Sequence, residues 1–333
     1  MSKTESGRAP SEAFCRWMAE PAARLAIFGA TGWVGRSVVE SVLTACPDLD
    51  EDRLRLFGSR PSGIERHGRL LRVEAVEDMP PAPDGDWCVM HAAIIGPDRI
   101  AGDDPGLTRA LNDQLMARVL AFSQGVAARS LTMFSSGAAA LAPALGASPA
   151  KMAYSRLKAD HEALARDWSH RTGLTVCAPR IFNLGGPFIN HERAYALGDF
   201  ILQAMEGHSI RIGARHEVIR TYVHTSDLAA GALHTAVTAG CGYETYDVCT
   251  REAVELGDLA RRIAIVLGRP DLPILRPEPG PESVRDIYTG QPQRFEALLA
   301  SLHRTPLSLE RMITDCHAYL ADQAAMRRSS RSS

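Results

Sequence analysis

The stretch "RLAIFGATGWVGRSVVE", residues 24–40, constrains this chain more than any other. An apolar run of strand length ends at Gly29, and glycines recur at Gly32 and Gly35 before a segment with helical spacing. In such a strand–turn–helix, the first glycine permits the tight turn and the second lets backbone approach a pyrophosphate. The third lets the helix pack close to the sheet. The free N–H groups at the helix start then face an anion. Gly29, Thr31, Gly32, Trp33, Val34 and Gly35 are therefore read as a dinucleotide-binding turn.

Beyond residue 50 the chain alternates between strand and helix periods. "DRLRLFGS" and "DWCVMHAAI" read as strands, "GLTRALNDQLMARVLAFSQGV" as a long helix, and "RSLTMFSS" as a strand. "AYSRLKADHEALARDWSHRT" reads as a helix beginning at Ala153, and "LTVCAPRIFN" as a strand. Strands alternating with helices of this length imply an α/β fold, a doubly wound parallel sheet covered on both faces. "DMPPAPDGD" is too rich in proline for a helix, so one crossover is expected to be a loop. The expected organisation is a leader over 1–23, a Rossmann domain over 24–183, and a smaller substrate-binding lobe over 184–325, interleaved with it. A disordered tail is expected over 326–333. In the leader, Ser11 is placed to cap a short helix carrying Phe14, Trp17 and Met18.

Composition excludes several classes. The 333 residues are 45% hydrophobic, enough for a large core. A net charge of -2 provides no field that recruits nucleic acid or an acidic membrane. No apolar run reaches the ~18 residues that span a bilayer, and the first residues lack the apolar block of a secretory signal. Seven dispersed cysteines, without C-x-x-C, fit reduced thiols and a cytoplasmic location. The eleven histidines show no metal-ligand spacing, so no metal is expected.

The end of the second strand bears on which dinucleotide binds. An acidic residue there accepts hydrogen bonds from a free ribose 2′-hydroxyl. This chain has Ser59 and Arg60 instead. A guanidinium suits a 2′-phosphate, which points to NADP(H), with Arg36 as a weaker second candidate.

Tyr154 and Lys158 lie four apart and share one helix face. A free phenol has a pKa of about 10, and a cation one turn away is expected to lower it. Such a pair makes a tuned acid/base. The strand before it ends in Ser135 and Ser136, where a hydroxyl can fix a substrate oxygen.

With these residues assembled, the chain resembles the extended branch of the short-chain dehydrogenase/reductase superfamily, whose members act on nucleotide sugars. The resemblance covers roughly residues 24–320. It is carried by "GATGWVG", His91–Ala93, Asn112, "FSS", "YSRLK", "RIFNLGGP" and "RTYVHTSDLA". It implies Tyr154 as general acid/base, with Lys158 tuning it and holding the nicotinamide ribose. Ser136 would orient the substrate carbonyl beside Ser135, and Asn112 would support a lysine–water proton path. His91, Ala92, Ala93 and Arg180 are implied cofactor contacts. Asn183, His191, Tyr195, Arg220, Arg285 and Tyr288 are implied substrate contacts, Arg220 on the diphosphate. A homodimer paired through the two long helices is also implied.

Two departures narrow the chemistry. Ser136 is followed by "GAAALAP", so the tyrosine often found after this serine is absent. The Asp–Glu pair with which dehydratases of the branch move protons is replaced by Gly137–Ala138. The leading expectation is an NADPH-dependent reductase of a keto group, at C4, of a nucleotide-activated deoxy-sugar. The alternatives are a nucleotide-sugar epimerase, a reductase of non-sugar ketones, and a non-catalytic NADP(H)-sensing protein.

Overall fold

The computed structural model describes residues 9–95, 104–141, 148–207, 209–278 and 285–329. They divide into two compact units.

The first unit comprises Gly7–Ile181 and Ala229–Asp247. In chain order it holds α1 (Glu12–Ala19), β1 (Ala23–Phe28), α2 (Trp33–Ala45), β2 (Leu54–Gly58), β3 (Ser62–Arg66), β4 (Arg69–Ala75), β5 (Asp86–His91), α3 (Pro105–Gly125), β6 (Ser130–Met133), β7 (Ser135–Ser136), α4 (Pro149–Thr172) and β8 (Thr175–Ile181). The central order β4–β2–β1–β5–β6–β8 is the doubly wound arrangement. β1 runs parallel to both neighbours, with Leu25 opposite Leu54 and Cys88. Its residues are almost all buried, which explains a continuous apolar run where a one-sided strand would alternate. Phe28, Phe57, Trp87, Met116, Val119 and Trp168 share the core on one side.

The expected loop crossover is present: after a short 3-10 turn at Val76–Asp78, the proline-rich segment leads into β5 without a helix. The hairpin of β3 and β4 was not anticipated. His67 and Gly68 both take positive φ, 51° and 73°, and form its two-residue turn. Only Ile64, Leu71, Val73 and Ala75 are buried along it, a weak signal for the eye.

The leader residues 9–23 fall within the first unit. Ser11 Oγ accepts from Phe14 N at 3.2 Å, Phe14, Trp17 and Met18 are buried, and Trp17 Nε1 donates to Asp86 at 2.8 Å. α4 starts at Pro149, capped by Ser148, so Tyr154 lies in the second turn of the helix and not at its start.

The second unit comprises Phe182–Leu228 and Val248–Ser333, with Met1–Ser6 outside the described residues. It holds β9 (Leu184–Gly185), α5 (Ala196–Glu206), β10 (Ile210–Arg211), β11 (Val218–Thr221) and β12 (Val223–His224). Next comes α6 (Thr225–Thr238), along which the chain returns to the first unit, where β13 (Tyr243–Val248) pairs with β8. β14 (Ala253–Glu255), α7 (Leu256–Val266), β15 (Ile274–Leu275), β16 (Asp286–Tyr288), α8 (Gln293–Ser301) and α9 (Leu309–Ser329) complete it. α5, α7 and α9 pack together over Leu197, Ile201, Leu259, Ile263 and Ile313. Residues 326–329, expected in a disordered tail, form the last turn of α9 instead; 330–333 lie outside the described residues. No helix among the described residues is long and apolar enough to cross a membrane.

Candidate functional site

β1, β2, β5 and β6 are parallel, so their carboxyl ends share one edge of the sheet. The candidate site residues of the first unit collect along it. Gly29 has φ +83°, and a Cβ there would fall 2.5 Å from Ala93 N. Glycine is thus required both by the backbone and by the segment His91–Ala93 that follows β5. A Cβ at Gly35 would meet Gly29 O at 2.1 Å, which is how α2 comes so close to the turn. Gly32 is the N-cap of α2, where no side chain caps the helix and no acid occupies the first turn. The turn therefore leaves an open, positively polarised helix start.

Beside it are two guanidinium groups. Arg36 is half-buried, and its Nε is buried without a hydrogen-bond partner. Ser59 and Arg60 are exposed after β2, and Arg60 makes no ion pair or hydrogen bond among the described residues. An adenosine ribose carrying a 2′-phosphate fits these groups, and a glycine cradle with an uncapped helix fits a pyrophosphate.

At β7, Ser136 is buried and its Oγ accepts from Ala138 N at 3.3 Å, capping a 3-10 turn over Gly137–Ala139. Ser155 Oγ donates to Ala138 O and ties α4 to that turn. This brings Tyr154 within hydrogen-bond reach of Ser136. Tyr154 keeps 40% of its surface exposed, while its phenol group is set among many protein atoms. Loss of solvation there pushes the phenol pKa above 10.0, and the Ser136 hydrogen bond works against the rise.

The expected depression of that pKa by Lys158 is not found. Lys158 Nζ donates to Phe134 O at 3.1 Å and lies 6.0 Å from the centroid of the Tyr154 ring. Burial instead lowers the Lys158 pKa from 10.5 to about 8, with Glu162 opposing.

Asn112 is buried, and its side chain is committed to backbone. Its Oδ1 accepts from Ile95 N at 2.9 Å, while Nδ2 donates to Ile95 O at 2.9 Å and Thr108 O at 2.8 Å. It thereby fixes the segment after β5 against α3. Ser135 Oγ donates to Glu162 Oε1 at 2.5 Å, and Glu162 pairs with Arg180 at 2.6 Å. Ser135 and Arg180 thus meet on one buried carboxylate. His91 ends β5 with Nδ1 buried and unpartnered, and burial lowers its pKa to about 3, so it stays neutral.

Sequence reasoning missed His161 and Asp113. The first is three residues after Lys158 and the second adjoins Asn112, so helical spacing could have flagged both. Their side chains meet at 2.8 Å.

In the second unit, β11 runs parallel to β16 and places Arg220 opposite Tyr288. Arg220 pairs with Asp286 at 2.8 Å and donates to the Asp286 and Ile219 carbonyls. Asn183 Nδ2 donates to Thr221 O at 2.9 Å, and Tyr288 packs on Phe182 with centroids 4.8 Å apart. Asn183, Arg220 and Tyr288 therefore share one part of this unit. Arg285 pairs with Glu217 at 2.6 Å, and His191 and Tyr195 are exposed before α5. Elsewhere in "RTYVHTSDLA", two polar residues serve the fold: His224 holds Asp315 at 3.1 Å, and Asp227 accepts from Leu307 N.

The sequence pattern of the NAD dependent epimerase/dehydratase family matches residues 25–249, well over half of the chain. The chain belongs to that family. The match runs from the glycine turn through the Tyr154–Lys158 helix and ends just beyond β13.

Solved structures of the same fold include a UDP-N-acetylglucosamine 4-epimerase from Methanobrevibacter ruminantium M1, 16% identical, with a TM-score of 0.72. That comparison covers 91% of this chain and 100% of the other. A UDP-glucose 4-epimerase from Thermotoga maritima is 17% identical over 90% and 99% of the two chains, TM-score 0.69. The dTDP-glucose 4,6-dehydratase DesIV of Streptomyces venezuelae, with NAD bound, is 18% identical over 91% and 98%, TM-score 0.67. At these identities they establish the fold. No curated protein matches the chain. Among the described residues, no group of three or more His, Cys, Asp or Glu side chains could hold a metal ion.

Proposed function

We propose that this family member is an NADPH-dependent reductase of a keto group, at C4, on a nucleotide-activated deoxy-sugar. The observation that carries the reading is the end of β2, where Ser59 and an unpaired Arg60 stand in place of a carboxylate, with Arg36 close to the glycine turn. When bound, NADPH supplies the hydride. Gly29, Gly32 and the α2 N-terminus hold its pyrophosphate, and Arg60 and Arg36 its 2′-phosphate.

Ser136 donates a hydrogen bond to the substrate carbonyl and holds it beside Tyr154. The Tyr154 phenol, with its pKa raised, is fully protonated at neutral pH and so is set to donate its proton to the forming alkoxide. Lys158 stabilises the phenolate this leaves. Asn112 keeps the segment after β5 in place. Arg220 spends both Nη groups on Asp286 and backbone, so a diphosphate reaches it through Nε or by displacing the Asp286 carboxylate. Asn183, His191, Tyr195, Arg285 and Tyr288 remain the candidate contacts to the rest of the substrate.

Dehydration lacks its groups, because Gly137 and Ala138 follow Ser136. Exposed Leu107 on α3, and Met152 and Leu164 on α4, support a homodimer paired through these helices. A monomer by light scattering at micromolar concentration contradicts that.

The likeness to two 4-epimerases favours a second reading, an epimerase that retains oxidised cofactor and returns the hydride to the opposite face. One experiment separates them: incubation with a 4-keto deoxy-sugar nucleotide and NADPH. Stoichiometric oxidation of NADPH supports the reductase. Interconversion of sugar nucleotides without net NADPH oxidation overturns it in favour of the epimerase.

A further inference from the structure

Beside Lys158 lies a small cavity with room for about one water molecule. His91, Asn112, Ser135, Lys158 and His161 supply its polar lining. Two of these groups have unusual bonding. His91 is buried with Nδ1 unpartnered. His161 is buried, yet its Nε2 is held at 2.8 Å by Asp113, whose side chain is 44% exposed. With Nε2 committed, only Nδ1 of His161 is left for the cavity. The dyad therefore joins an inner polar chamber to a carboxylate in contact with solvent.

We propose that His161, backed by Asp113, is the proton entry for the catalytic pair, recharging Lys158 and thereby Tyr154 through a water in this cavity. The proposal rests on the reductase reading, because a reductase consumes one proton per turnover whereas an epimerase takes a proton and returns it. In each turnover Tyr154 gives its proton to the substrate alkoxide and becomes phenolate. The Lys158 ammonium reprotonates it and becomes an amine. The cavity water passes a proton to Lys158 and takes one from the His161 imidazolium at Nδ1. His161 is left neutral with its Nε2–H on Asp113; a flip of the ring then exchanges the two nitrogens, and the bare nitrogen now beside Asp113 takes a proton from solvent while the N–H turned to the cavity serves the next turnover.

The surroundings suit this role. Lys158, with a pKa of about 8, exchanges protons near neutrality. The groups facing His161 are Asp113 and Lys158, with Arg109 next to Asp113 at 2.9 Å and also bonded to Asp160 at 2.7 Å. Burial and the Lys158 charge lower the His161 pKa while Asp113 opposes them, so the imidazolium is a good acid. His91 stays neutral, and its bare or protonated Nδ1 orients the water without trapping the proton.

The test compares single-turnover reduction with steady-state turnover in wild type and His161→Gln. In the variant, single turnover should stay near wild type, because Tyr154 begins protonated. Steady-state turnover should fall at least about tenfold, the lower range of acid–base effects being ~10²-fold, and added imidazole buffer should restore it. Asp113→Asn should give a smaller loss of the same kind. Wild-type steady-state turnover in His161→Gln overturns the proposal, since Tyr154 is then recharged directly from solvent through its exposed face. Equal loss in both regimes without rescue also overturns it, as a purely structural defect. An NMR titration of the His161 imidazole needs no substrate. Lys158→Met should raise its pKa, and no change means the two groups are not coupled and the relay is absent. If wild type reduces no keto nucleotide, the reductase reading fails by itself and the titration alone decides the relay.

Discussion

Lys158 lies over the Tyr154 ring, with Nζ 6.0 Å from its centroid, and gives a hydrogen bond to Phe134 O. The cation thus lies over the phenol ring, and the hydroxyl is within hydrogen-bond reach of Ser136. Each residue has a separable task, and each can be tested alone.

Tyr154→Phe removes one hydroxyl from a residue that is otherwise 40% exposed and not part of the core. Turnover should fall by roughly 10²–10⁴-fold, as expected for loss of proton transfer. NADPH affinity, measured by fluorescence titration, should be nearly unchanged. Near-normal turnover would reduce the Tyr–Lys pair to a helix face.

Lys158 carries a pKa of about 8 in the folded protein against 10.5 when solvated. The unfolded chain therefore binds more protons between those values. Stability rises with pH from about 8 to about 10.5, and below pH 8 the buried charge is a full liability. Lys158→Met should melt higher than wild type at pH 7, with the gap closing toward pH 10. A gap independent of pH sinks this reading of the site.

Arg60→Ala should weaken NADPH about tenfold or more and leave NADH unaffected. A hydrogen bond between charged groups is worth ~1.5–3 kcal/mol, and 1.4 kcal/mol is tenfold. Arg36→Ala should act in the same direction. Equal binding of both dinucleotides by wild type contradicts NADP(H) as the cofactor.

Glu162 is 3% exposed and holds both Ser135 and Arg180. Glu162→Ala strands the half-buried guanidinium and should cost ~3–5 kcal/mol in denaturant unfolding. Ser135→Ala gives up one hydrogen bond to a carboxylate and should cost ~1–3 kcal/mol. A larger loss from Ser135→Ala than from Glu162→Ala would contradict Glu162 as the centre of this cluster.

Local chemistry made the dinucleotide turn legible in the sequence. Gly29 needs a positive φ and tolerates no Cβ, Gly35 lets the helix approach, and both requirements act within ten residues. The strand-and-helix alternation was legible for the same reason: β1 is buried on both faces, so its apolar run is continuous, and α1 announces itself by Ser11 and three apolar residues. The spacing of Tyr154 and Lys158 likewise placed them on one helix face before any tertiary contact was known. Tertiary structure decided what the side chains do. Lys158 gives a hydrogen bond to the Phe134 carbonyl because β6 and α4 bring that carbonyl within 3.1 Å. Ser135 and Arg180, separate in sequence, were both drawn to Glu162, since a buried carboxylate must find donors. Asp113 and His161 lie 48 residues apart and meet only because α3 packs on α4. Short-range chemistry sets which groups are available; burial and long-range packing determine which of them are charged, which are paired, and which are left facing the cavity.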